Sequence, residues 1–183
     1  PHFRGDRLRL AAVISAADGE AMSTKYFESR SRMNISLRRL IEECCRPLQA
    51  RMAACGIRAV IDVPADQMVW GNRVSLGRAV RNLILGAVDA MPGGGVLVAT
   101  SALAHDSVEL EIADSGDSLC EESLHCAFEP SGKSHRGTSD WVLAAVRQIA
   151  ESHGGSVSVA NCPEGGVAYT LRIPRPVALE AAA

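Results

Sequence analysis

An α+β fold, built as a two-layer sandwich of a mixed, mostly antiparallel sheet with helices on one face, is predicted by three features of the sequence. Apolar residues recur at helical spacing in three separate segments. Short strand-like runs lie in pairs between and after them. The resulting order is α, β, β, α, β, β, loop, α, β, β. With 183 residues, 47% hydrophobic and 22% charged, the chain suits one globular domain with a short appendage.

Residues 1–34 are polar and lack a strong period, so they read as an N-terminal segment or linker, or as the remnant of a dimerisation hairpin. From Ile35 the pattern sharpens. "ISLRRLIEECCRPLQARMAACG" places Leu37, Leu40, Ile41, Cys44, Leu48 and Met52 on one helical stripe, which Gly56 ends. Pro47 lies inside that stripe and has no N–H to donate, so a kink or break is expected there. "IRAVIDV" (57–63) and "QMVW" (67–70) read as strands on either side of a Pro-Ala-Asp turn. A second amphipathic helix covers 73–91, with Leu76, Val80, Leu83, Ile84, Ala87 and Met91 inward and Pro92 to Gly95 closing it. "VLVATSAL" (96–103) and "SVELEIAD" (107–114) form an antiparallel pair joined by "AHD". A loop-rich segment spans 115–139. "WVLAAVRQIAESHGG" is a third helix ended by glycine, and "SVSVAN" with "VAYTLRIP" makes a final hairpin around "CPEGG". The domain is expected over 35–176, with 177–183 as a tail.

Composition excludes several function classes. The net charge of −2, with both signs interspersed, provides no basic field for nucleic acid. No apolar run is long enough to span a membrane, and "LAAVISAA" (10–17) is too short for a signal-peptide core. Direct membrane contact is therefore not expected. Six cysteines, at 44, 45, 55, 120, 126 and 162, form no CxxC pair. They read as buried free thiols of a reducing cytoplasm and not as zinc ligands. "SGKS" (131–134) is not a P-loop, since Ala127 stands where the motif needs its first glycine. The "RGD" at 4–6 is a chance match. His105, His125, His135 and His153 are scattered and make no nucleophile–base pair. His153 reads as a cation suited to a helix C-terminus.

Four separate boxes, in order, resemble the catalytic ATP-binding domain of sensor histidine kinases. These belong to the ATPase superfamily of gyrase, heat-shock chaperone, kinase and mismatch-repair proteins with the Bergerat fold. "NLILGAVDAMPGGG" resembles the N box, "ADSGD" the DxGxG box, and "FEP" the F box. "GTSDWVLAAVRQIAESHGG" resembles the glycine-rich lid box with its following helix. The likeness runs from about Ile35 to Pro174. It implies that Asp114 accepts the adenine amino hydrogen and that Gly116 lets the backbone approach the base. It also implies that Asn82 is the first of two polar residues on one face of the N-box helix. Gly137 and Thr138 fill lid positions. ATP with magnesium is the implied ligand. A kinase dimerisation hairpin or a response regulator is the implied partner, and a homodimer would form through a missing or partial N-terminal region. Asn82 in place of glutamate favours kinase ancestry over a hydrolysing branch.

The same alignment shows where this sequence departs from the family. Gly86 stands where an asparagine coordinates magnesium, and it has no side chain to do so. Ser118 replaces the second glycine of DxGxG. The lid reads Gly137-Thr138-Ser139-Asp140-Trp141, so Ser139 and Trp141 stand at degenerate positions that need glycine for close phosphate approach. A charge-assisted contact is worth about 1.5–3 kcal/mol. Losing two or three costs about 3–8 kcal/mol, on the order of 100-fold to 10⁵-fold in affinity. Trp141 is expected to be a core residue or a plug in the pocket, and Lys133 a solvated loop lysine.

Three readings follow. The first is a degenerate ATP-binding domain of a two-component sensor kinase, cytoplasmic, serving as a regulatory or docking module with weak or absent ATP binding and no catalytic or metal residue of its own. The second is an active ATP-dependent histidine kinase domain in which Asp89 or Asp117 holds the metal from a shifted position. The third is an effector sensor that reuses the adenine pocket.

Overall fold

The computed structural model describes residues 32–129 and 142–175 in full, and the backbone alone at 134–135 and 138–141. Apart from Arg32, these belong to one compact unit, Met33–Ala183. Strand β1 (Arg32–Ser36) leads into α1 (Leu37–Cys45), and a 3-10 turn over Arg46–Leu48 joins it to α2 (Gln49–Cys55). The interruption falls at Pro47, as its missing N–H requires. The apolar stripe stays on one side throughout: Leu37, Leu40, Ile41, Cys44, Leu48 and Met52 are all buried.

The start of that helix is a correction. Ile35 and Ser36 are extended, because β1 pairs with β3 (Met68–Asn72) in a two-stranded ribbon. Ile35 reaches the core from strand geometry, so pairing with a distant segment overrides the local helical period.

β2 (Ile57–Asp62) does not pair with β3, its neighbour in sequence. It runs parallel to β4 (Gly95–Leu103), with α3 (Arg73–Asp89) inside the crossover. β5 (Ser107–Asp114), β8 (Ser156–Asn161) and β9 (Val167–Pro174) complete a five-stranded sheet in the order β2-β4-β5-β9-β8. Every pairing except β2–β4 is antiparallel. The segment 115–139 is not all loop. It contains α4 (Glu121–Cys126), β6 (Ser134–His135) and β7 (Thr138–Ser139), which are too short to show a period. α5 (Asp140–Ser152) follows.

Alternation along the strands builds the interface between the layers. Leu97 on β4, Leu110 and Ile112 on β5, and Leu171 and Ile173 on β9 are buried with Leu76, Val80, Leu83 and Ile84 of α3. α3 is flanked by α1 and α5. Each such aliphatic side chain contributes about 1.5–3 kcal/mol on burial. No helix among the described residues is long and apolar enough to cross a membrane.

Candidate functional site

The site grows from the end of the central strand. Register sets Asp114 opposite Leu97 of β4 and Val167 of β9, and the residue is only 4% exposed. Its Oδ1 accepts the backbone N–H of Gly116 at 2.9 Å, which closes the turn after β5 and orients the carboxylate. Ser115 anchors the same turn to β4: its N–H donates to the Val96 carbonyl at 3.1 Å, and its Oγ accepts from the Val96 N–H at 2.9 Å. The Ser115 hydroxyl also lies 3.7 Å from the Met91 sulfur, so the turn touches the end of the N-box segment. On the other side, Gly166 presses against the carbonyl of Asp114.

α3 carries the second part. Asn72 caps it, its Oδ1 accepting from the Ser75 N–H at 3.0 Å. Asn82 and Gly86 are four apart and share a half-buried edge of the helix, and Asp89 continues it. The Asn82 side chain makes no hydrogen bond to another described residue, so it is not tied into the core. Asp89 pairs with Arg51 of α2. To hold a metal from this position, as the sequence reading allows, Asp89 would exchange that arginine for the cation. Among the described residues, no group of three or more His, Cys, Asp or Glu converges as a metal site.

The segment after the turn is held by contacts the sequence did not reveal. Asn161 of β8 grips the backbone of Leu119 from both sides: Oδ1 accepts its N–H at 2.9 Å and Nδ2 donates to its carbonyl at 2.8 Å. Asp117 and Ser118 are exposed just before this clamp. Phe128, of the F-box segment, meets the ring of Tyr169 edge-on, with centroids 6.5 Å apart. Of the lid, Thr138 and Ser139 lie in β7, and Asp140 and Trp141 open α5, with backbone alone described. The plug expected of Trp141 concerns a side chain outside the described residues, as do Gly137 and Lys133.

His153 also departs from expectation. It is 4% exposed, and its Nε2 accepts the Asn72 N–H at 3.0 Å, while Nδ1 lies 2.7 Å from the Ile149 carbonyl. A ring nitrogen facing a backbone donor must be unprotonated. His153 is therefore a neutral Nδ1–H imidazole joining α5 to the start of α3, not a cation at a helix end. All six cysteines are free, but only Cys44 and Cys45 are buried, and Cys120 is exposed.

A family model described as "Histidine kinase-, DNA gyrase B-, and HSP90-like ATPase" matches residues 71–177, more than half of the chain. The chain belongs to this family. Among curated members of this ATPase family, the sensor-type histidine kinase PrrB of Mycobacterium tuberculosis is 39% identical over 114 residues, covering 60% of this chain and 25% of the relative. The sensor histidine kinase ZraS of Escherichia coli O157:H7 is 28% identical over 130 residues, covering 71% of this chain and 27% of the relative. The chain thus spans about a quarter of the length of these two kinases. The solved catalytic domain of histidine kinase ThkA matches with a TM-score of 0.72 at 24% identity, covering 79% of this chain and 97% of that one. This likeness is one of fold. The resemblance read from the boxes and the two-layer architecture are both borne out. The domain is of the histidine-kinase ATP-binding kind, for which the family implies ATP with magnesium.

Proposed function

We propose that this is a sensor-histidine-kinase ATP-binding domain whose triphosphate half has decayed. It acts as a cytoplasmic regulatory or docking module in a two-component pathway, with weak or absent Mg-ATP binding. In this reading Asn82, Asp114, Gly116, Gly137 and Thr138 are the remnant nucleotide site. Gly86, Ser118, Ser139 and Trp141 are its degenerate positions. The observation that carries the reading is Gly86: one turn beyond Asn82, on the same edge of α3, the helix offers no oxygen to a cation. The adenine half supports descent from a working site, because Asp114 is buried and oriented by Gly116. In this reading α3 lacks, at Gly86, the side-chain oxygen that would meet a magnesium ion, so no catalytic step is assigned through it. A dimerisation hairpin or a response regulator is the proposed partner.

The test is to restore the ligand. Gly86→Asn is expected to tighten Mg-ATP binding about 10-fold or more by calorimetry, the value of one regained charge-assisted contact. No change would mean that Gly86 is not the limiting defect. A second reading, an active kinase domain, draws on the intact Asn82, Asp114 and Gly116 set. It needs a substitute metal ligand, either Asp117 or an Asp89 released from Arg51. Phosphotransfer from labelled ATP to a supplied hairpin, lost in Asp114→Asn, would establish it.

A further inference from the structure

We propose that the groove between α1 and α3 docks an acidic amphipathic helix of a partner protein. The groove encloses about 420 Å³. Leu40, Cys44, Pro47, Val74, Gly77 and Arg81 line it, together with the Glu43–Arg73 ion pair. Val74 is 81% exposed, an aliphatic side chain that no described residue covers. Leu40 and Cys44 rise from α1 and Pro47 from the 3-10 turn that follows it, and Val74, Gly77 and Arg81 from α3. Two facing ridges with an apolar trough between them are the shape that receives a third helix. Gly77 keeps the trough clear, and its carbonyl accepts from the Cys44 thiol at 3.4 Å, holding the two helices close.

Charge identifies the occupant. From α1 through α3 the helical elements carry seven arginines and three carboxylates, in a chain whose net charge is −2. Each of those carboxylates is already engaged: Glu42 by Arg38, Glu43 by Arg73, and Asp89 by Arg51. Arg39, Arg46, Arg78 and Arg81 are exposed and pair with no carboxylate among the described residues. Arg81 lines the groove, and spacing along the helices puts Arg78 one turn from Val74 and Arg46 next to Pro47. Unpaired guanidinium groups near the trough thus complement a helix with an aliphatic ridge and carboxylates on its flanks. The apolar floor of the groove faces away from the nucleotide edge, although Arg78 and Arg81 lie within one turn of Asn82. Gly77 and Gly86 are nine positions apart, and at about 100° per residue they face opposite flanks of α3.

The experiment uses the full chain and two synthetic helical peptides of about 18 residues, long enough to fill a groove of this kind. Both carry a Leu/Ala ridge; one is flanked by Glu and the other by Lys. Fluorescence anisotropy is expected to show the Glu-flanked peptide binding at least about 10-fold more tightly. Amide shifts should centre on Val74 and Gly77. Arg78→Glu with Arg81→Glu should weaken binding by about 10-fold or more while the unfolding midpoint stays unchanged. Val74→Asp, a second and independent disruption, should do the same. Equal binding of both peptides, retention of binding in both variants, or shifts centred elsewhere would overturn the proposal. So would self-association through Val74, or preferential binding to phosphatidylserine vesicles. Mg-ATP should leave peptide affinity unchanged, so failure here and failure of the nucleotide reading are separate results.

Discussion

Gly166 packs so closely on Asp114 that a Cβ at position 166 would stand 1.8 Å from the Asp114 carbonyl oxygen. Its φ of 89° adds a backbone conformation that L side chains avoid. The closing hairpin therefore fixes the end of β5, where the buried carboxylate is presented. Gly166→Ala is expected to destabilise the domain by about 2–4 kcal/mol, through overlap and strain together. Gly165→Ala shares the positive φ of 98° but meets nothing within 4 Å, and should cost about 1 kcal/mol. Urea unfolding of both variants checks the difference. Equal losses would show that backbone strain alone, and not contact with Asp114, makes Gly166 necessary.

His153 and Asn72 meet across 81 residues of sequence. His153→Phe removes the acceptor and leaves the buried Asn72 N–H unsatisfied, with an expected loss of about 1–3 kcal/mol. Asn72→Ala removes the cap of α3, with an expected loss of about 1 kcal/mol. Because both hold the same turn, the double variant should fall short of the sum by about 0.5 kcal/mol or more. Nitrogen-15 spectra of the ring should show the Nδ1–H tautomer. A protonated ring at neutral pH would refute the assigned role.

The cysteines separate by environment. Burial, reinforced by Cys45 and Glu43, pushes the Cys44 thiol up to about 11. Hydrogen bonds from Ser123 hold the exposed Cys120 below the usual thiol range. A lowered value means more thiolate at a given pH, and thiolate is the reactive form. Iodoacetamide at mildly alkaline pH should therefore label Cys120 well before Cys44, as read by peptide mass mapping. Ser123→Ala should slow labelling at Cys120 and leave Cys44 unaffected. Simultaneous labelling of both would show that the thiols do not differ in this way.

Much of the fold was legible because its signals are local. The stripe from Leu37 to Met52, the break at Pro47, the inward face of α3 and the alternation in β5 each follow from neighbours within one or two turns or strands. What escaped depends on distant partners. β1 is strand only because β3 lies beside it, and β2 pairs across α3 with β4 instead of with its neighbour in sequence. α4 is six residues long and has no side-chain cap bond, so neither period nor cap announces it. At the site, Asp114, Gly116 and Asn82 stood out as parts of recognisable boxes. Gly166, Asn161 and the Asn72–His153 link did not, since each acts on a backbone group far away in the chain. Only the Asn72 cap left a local trace, an asparagine just before an apolar helical run.

The decay of the triphosphate half is tested most directly by calorimetric titration of the purified chain with ATP, in magnesium and again in chelator. A dissociation constant weaker than about 1 mM, little altered by magnesium, is expected when Gly86 leaves the cation without a side-chain ligand. Binding tighter than about 50 µM that disappears in chelator would contradict it.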